Sequence, residues 1–170
     1  MLVTLKEILK IAEARKCAIG SFNTTSMTGL KAVIGVAEEK NEPVIIMHAQ
    51  VHEEMGLCTM EEVAPIMLAA AKKSTVPVCV HLDHGTDLDY VKRGLELGFT
   101  GVMYDGSVLD FETNAKNTAE IAKYAHAHGV TVEAELGHVG NASVGSVSET
   151  GTDSDPGSRT GKAGEQRLSA

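Results

Sequence analysis

Apolar and polar positions along the chain alternate between two spacings. Thr4 followed by Glu7 has the form of a helix N-cap with its capping partner. Leu5, Ile8, Leu9 and Ala12 then recur at helical spacing. Ala18–Phe22 is short and apolar, the form of a strand. Ser26 caps a second predicted helix through Leu30, Val33, Ile34 and Ala37. Pro43–Met47 reads as a buried strand, and Val63, Ile66, Met67, Ala70 and Ala71 as the face of the next helix. A strand over 77–82, a helix over 88–97 capped by Asp87 and closed at Gly98, and a strand over Gly101–Tyr104 follow. A long helix from about Phe111 to His128 then ends at Gly129, before a last strand over Val130–Glu135.

Continuous Val/Ile runs separated by amphipathic helices predict a parallel sheet covered by helices. A doubly wound open sheet and a (β/α)8 barrel both fit that alternation. The polar residues favour the barrel. Asn23, His48, Asp83, His84, Asp105 and Glu135 all stand at or just past the C-terminal end of a predicted strand, and a barrel aims chemistry at one centre from that end. No Gly-x-Gly-x-x-Gly follows the first strand, which counts against a dinucleotide fold. The expectation is an α/β partial barrel: about the first five strands with their helices over residues 1–140. Residues 141–170, rich in Gly, Ser, Thr and Asp, are then a mobile loop and a disordered tail.

Composition narrows the function classes. The 170 residues are 43% hydrophobic and 22% charged, which are globular values. A net charge of −8 argues against a nucleic-acid partner. No apolar run is long enough to cross a membrane, and the first residues lack the form of a secretory signal. Cys17, Cys58 and Cys79 are scattered and odd in number, so free thiols in the cytoplasm are expected.

The chemistry concentrates in His81-Leu82-Asp83-His84-Gly85, where a buried strand ends in titratable groups. Asp105 and Glu135 close two neighbouring strands. Three carboxylates converging without basic partners would repel one another, and a divalent cation removes that objection. His84, Asp105 and Glu135 are therefore candidate metal ligands and Asp83 a candidate acid/base. The competing reading is a strand-end Asp that caps a turn beside a packed histidine. Glu133 shares a strand face with Glu135 but lies further from the tip. His81 either positions Asp83 or packs. His48 reads as structural before substrate-binding. His52, His126 and His128 read as loop or helix-surface residues, and His138 as a loop residue.

The motifs Val80-His81-Leu82-Asp83-His84-Gly85, Gly101-Val102-Met103-Tyr104-Asp105-Gly106-Ser107 and Val132-Glu133-Ala134-Glu135-Leu136-Gly137 stand in the order and spacing of class II fructose-bisphosphate and tagatose-bisphosphate aldolases. Gly20-Ser21-Phe22-Asn23 and Pro43-Val44-Ile45-Ile46 also resemble that family. The likeness spans about residues 1–140. It implies zinc-dependent, reversible aldol cleavage of fructose 1,6-bisphosphate or tagatose 1,6-bisphosphate to dihydroxyacetone phosphate and glyceraldehyde 3-phosphate, a glycolytic reaction. It implies Asp83 as acid/base at the C4 hydroxyl and His84 as a ligand of the catalytic zinc. Asp105 and Glu135 would serve a second or alternative divalent metal position, and Asn23 would lie near the substrate. A homo-oligomer, dimer or tetramer, is implied too. The later histidine ligands and phosphate-binding turns of the family have no counterpart here, so a catalytically inert partial barrel is the alternative. Another metal-dependent sugar-phosphate barrel, such as an epimerase, fits the Glu135-Leu136-Gly137 motif less well.

Overall fold

A computed structural model describes residues 1–137. The elements in chain order are β1 (Leu2–Val3), α1 (Leu5–Arg15), β2 (Ser21–Asn23), α2 (Met27–Lys40), β3 (Val44–Ala49), α3 (Gln50–Glu54) and α4 (Met60–Lys73). They continue with β4 (Val78–Gly85), α5 (Leu88–Leu97), β5 (Gly101–Tyr104), α6 (Phe111–Ala127) and β6 (Thr131–Ala134).

Local signals explain most boundaries. The side chains of Thr4, Ser26, Thr59, Asp87 and Asp110 each accept a backbone N–H in the first turn of the following helix. Helix α5 stops at Gly98, whose φ of 95° suits a residue without Cβ. Two elements escape the periodicity. β1 is two residues long and owes its strand character to parallel pairing of Leu2 and Val3 with Val78 and Cys79. α3 is a five-residue turn directly after β3, too short for a helical repeat to register.

All strands pair in parallel, in the order β2-β3-β4-β5-β6. Sequential order decides between the two architectures. A doubly wound sheet reverses direction and carries helices on both faces. Here every step moves the same way, and right-handed crossovers then place the connecting helices on one face. The packing agrees. Leu30 and Ile34 of α2, Met67 and Ala71 of α4, Val91 and Leu95 of α5, and Ile121 and Ala125 of α6 share one core with Val44, Ile46, Val78, Val80, Leu82 and Val102. The opposite sheet face carries Ile45 and Cys79, buried by Leu5 and Ile8 of α1. The described residues therefore form a partial (β/α)8-type barrel wall, with α1 packed against its inner face.

Helix α1 fixes which end is open for chemistry. The Leu5 N–H donates to the Thr100 carbonyl just before β5 begins, at 3.0 Å. A Cβ at Gly101 would stand 2.8 Å from Leu5 Cβ and 2.7 Å from His81 Nδ1, so only glycine admits both neighbours. With the N-terminal ends of the strands closed by α1, the C-terminal ends remain.

Candidate metal centre

Strand alternation assigns odd-numbered residues of β4 to the inner face: Cys79, His81 and Asp83. His84 ought to point into the helix layer. It does not, because β4 carries one extra residue there. Leu82 pairs with Val102 and Gly85 with Tyr104, three residues against two. The bulge is taken up at His84, whose φ is 42°, the left-handed region that side chains other than glycine seldom enter. Asp83 and His84 thereby serve the same site from adjacent positions. Gly85 is closely packed: a Cβ there would meet Val91 Cγ2 at 2.4 Å and the Met103 carbonyl at 3.1 Å.

The re-aimed imidazole meets the two carboxylates that follow β5 and β6. His84 Nδ1 lies 2.8 Å from Asp105 Oδ2 and 3.9 Å from Glu135 Oε2, and its Nε2 is 3.9 Å from Asp83 Oδ1. One ligand atom from each of His84, Asp105 and Glu135 falls within 4.8 Å of the other two. Two oxygens or nitrogens bound about 2.1 Å from one cation lie at most about 4.2 Å apart. The set thus fits a divalent cation with little side-chain adjustment. Its donors, one imidazole and two carboxylates, suit zinc or a harder ion.

The electrostatics point the same way. Among the described residues, no Lys or Arg pairs with Asp83, Asp105 or Glu135. Burial disfavours the Asp105 carboxylate, but bonds from Ser107 and His84 outweigh it and hold its pKa below the usual range. Burial also disfavours the His84 imidazolium; the Asp105 bond and the charges of Asp83, Asp105 and Glu135 outweigh it and raise its pKa. A site that draws a proton onto its histidine is a site that attracts positive charge.

The supporting residues were not legible as such in the sequence. Asn114, 5% exposed, donates from Nδ2 to the Glu135 carbonyl at 2.8 Å. Its Oδ1 accepts from Thr118 at 3.1 Å and abuts Gly106, where a Cβ would stand 2.3 Å away. The available signal was an Asn on the same helical stripe as Ile121 and Ala125. Asp105 Oδ1 accepts the Ser107 N–H at 3.0 Å. Glu133 lies one layer below Glu135, 3.3 Å from His81 Nε2, and the His81 interaction lowers its pKa. His81 is 2% exposed and makes no aligned hydrogen bond with a described group.

Asn23 and four histidines lie outside this cluster. Asn23 ends β2, exposed and two strands from the cluster. His48 is fully buried on the helix side of β3, with Nε2 3.1 Å from the Tyr90 hydroxyl. Burial, then the neighbouring His52, depresses its pKa from 6.5 to about 4. The unfolded chain therefore protonates first. The contribution of His48 to stability is intact above about pH 6.5 and is lost as pH falls towards about 4. Between about pH 7.5 and about pH 4.5 this one group should cost about 2–3 kcal/mol. Urea unfolding at both pH values should show His48→Gln losing that much less stability than the parent; equal losses would assign the acid sensitivity to other groups. His52, expected at the surface, is instead 8% exposed within α3. The reason is that its ring folds back onto the strand, and Nδ1 accepts the Ala49 N–H at 3.1 Å. His126 and His128 are exposed at the end of α6. His138 and the expected loop and tail over 141–170 lie outside the described residues.

A family model described as fructose-bisphosphate aldolase class-II matches residues 3–161, past the end of the likeness expected from the motifs. A fructose-bisphosphate aldolase of Thermus caldophilus is 43% identical over 139 residues, covering 82% of this chain and 45% of that protein. A 6-phospho-5-dehydro-2-deoxy-D-gluconate aldolase of Halalkalibacterium halodurans is 38% identical over 148 residues, covering 86% and 51%. The crystal structure of the YdjI aldolase from Escherichia coli K12 superposes with a TM-score of 0.76 at 34% identity, covering 82% of this chain and 54% of that one. The chain spans about half the length of the curated relatives it matches. Matched along most of its length by the family model and by these relatives, the chain belongs to the class-II fructose-bisphosphate aldolase family.

Proposed function

We propose that the site carries out metal-dependent, reversible aldol cleavage of a ketose bisphosphate, with zinc as the cation. Fructose 1,6-bisphosphate or tagatose 1,6-bisphosphate would give dihydroxyacetone phosphate and glyceraldehyde 3-phosphate. The observation that carries this reading is the convergence of His84, Asp105 and Glu135 beside Asp83, at the C-terminal ends of three adjacent parallel strands.

Each residue has a task its chemistry can perform. His84, Asp105 and Glu135 would hold the cation, with His84 on the catalytic zinc and the two carboxylates able to serve a second position. The cation, when bound, would supply Lewis acidity towards charge that develops on the substrate oxygens as the carbon–carbon bond breaks. Asp83 takes the proton of the substrate C4 hydroxyl in the cleavage direction and returns it in condensation. Asn23, at the same end of the sheet, contacts the sugar phosphate. Ser107 N–H and Asn114 keep Asp105 and the Glu135 backbone in place, so little reorganisation accompanies binding. No described helix is long and apolar enough to cross a membrane. A cytoplasmic homo-oligomer, dimer or tetramer, fits exposed apolar residues such as Val108 and Phe111.

The testing experiment is an aldol-cleavage assay of the 170-residue chain with zinc, before and after a chelator. Three substrates are offered: the two ketose bisphosphates and 6-phospho-5-dehydro-2-deoxy-D-gluconate, the last because a relative's name specifies it. Chelator-sensitive cleavage of either bisphosphate, restored by zinc, is the expected result. Cleavage of the gluconate derivative alone would move the substrate class. Zinc-independent cleavage, or none with any substrate, would remove the catalytic reading from this chain.

A further inference from the structure

At the C-terminal end of the sheet, four of the five ordered strands present a polar group: Asn23 from β2, Asp83 and His84 from β4, Asp105 after β5 and Glu135 after β6. β3 is the exception. It ends in Ala49, which is paired in register with Asp83 and brings only a methyl group. The ring of His52, three residues on, folds back onto this strand end. The Ala49 N–H donates to His52 Nδ1 at 3.1 Å. A ring nitrogen that accepts carries no proton, so the proton of the neutral ring is on Nε2. Burial, the larger effect, lowers the His52 pKa against an opposing pull from the Asp83 charge, so the neutral ring is the form present at pH 7.

The location follows from strand geometry. Ile45 N–H bonds the Gly20 carbonyl, and the Met47 carbonyl accepts from Thr24 N–H, so odd-numbered peptide groups of β3 face β2. The Ala49 N–H continues that row past the last residue of β2. The imidazole therefore stands at the end of β3 on its β2 side, edge-on to the His48 ring with centroids 5.4 Å apart.

The ring is also held rigidly. Gln50 Oε1 accepts the Thr86 N–H at 2.9 Å, tying α3 to the segment after β4. Glu53 makes two contacts of 2.9 Å to Arg93 and accepts the Met60 N–H at 3.2 Å. No described group accepts a hydrogen bond from His52 Nε2. A preorganised N–H donor on a ring that is 8% exposed and close enough to the acid/base carboxylate to feel its charge is more than helix α3 needs for its own folding.

We propose that His52 is a specificity-determining residue of this site, whose Nε2–H donates to an acceptor oxygen of the sugar phosphate lying between Asn23 and Asp83. The proposal rests on the aldolase reading above. Two substitutions separate the ring's two nitrogens. His52→Asn keeps a short acceptor for the Ala49 N–H and removes the distal donor. His52→Gln keeps a distal donor and removes the acceptor.

Calorimetric titration with fructose 1,6-bisphosphate in the presence of zinc, together with the thermal midpoint, reads both functions. His52→Asn should bind about tenfold more weakly with a midpoint within about 2 °C of the parent. His52→Gln should bind within about threefold of the parent and melt about 5 °C lower. A purely structural histidine predicts the opposite order, and that order, or equal affinities, overturns the proposal. Inorganic phosphate as a second titrant locates the acceptor. Weaker phosphate binding by His52→Asn sustains the proposal with a phosphoryl oxygen; an unchanged phosphate affinity beside weakened sugar binding sustains it with a hydroxyl or carbonyl oxygen. Failure of the parent chain to bind any sugar phosphate overturns the aldolase reading itself, and this proposal with it.

Discussion

Asp83→Asn is expected to slow aldol cleavage about a hundred- to ten-thousand-fold, the range associated with loss of a general acid/base, while cation affinity stays within about threefold. The substitution preserves size and one acceptor oxygen and removes only the ability to take a proton. Asp83 faces the inner side of β4 next to His84, with Oδ1 3.9 Å from the imidazole Nε2. That is close enough to share a substrate with the cation cluster and too far to be one of its three closest donors. Rates in the linear range, beside calorimetric titration with zinc, separate the two roles. A lost cation site would make Asp83 a ligand; an unchanged rate would remove it from proton transfer.

His84→Ala should produce the complementary pattern: cation affinity reduced about a hundredfold or more, and activity lost with it. Loss of an outer-shell partner alone costs about ten- to a hundredfold in metal affinity, and His84 is the only nitrogen donor of the cluster. Without it, Asp105 and Glu135 face each other with no imidazole between them. The backbone adds an internal control. At φ 42° alanine retains the left-handed strain and glycine does not, so His84→Gly should be about 1 kcal/mol more stable than His84→Ala and equally weak in binding the cation. An unchanged affinity in both variants would place the cation elsewhere.

The helix layer was the most readable part of the chain. Capping residues and apolar stripes mark α1, α2, α4, α5 and α6 within a few residues of where they lie, because those signals are local and each acts within a turn or two. Strands were readable as apolar runs with shifted ends. β2 begins at Ser21, not Ala18, and β4 runs on to Gly85, past the expected 82. Strand limits depend on which neighbour supplies hydrogen bonds, and that neighbour is distant in sequence.

Candidate site residues were readable in kind. Asp83, His84, Asp105 and Glu135 stand out because carboxylates and imidazole are costly at the ends of apolar strands. Their common destination was not readable. Simple alternation sends His84 into the helix layer, and only the extra residue between Leu82 and Gly85 returns it to Asp105. His48 and His52 show the same limit from the other side. Both looked peripheral or ambiguous, yet one is sealed against Tyr90 and the other locked onto the Ala49 amide.

By itself the sequence determined the alternation of helices and parallel strands, the family through three ordered motifs, and the residue types available for chemistry. These are encoded in short-range periodicity and in the cost of burying charge. The tertiary structure alone decided that the sheet advances in one direction, that α1 covers the inner face, that a bulge brings His84 beside Asp105 and Glu135, and that His52 bonds back to the Ala49 amide. Each of these depends on register and side-chain direction between segments tens of residues apart, where a one-residue difference reverses the face a side chain occupies.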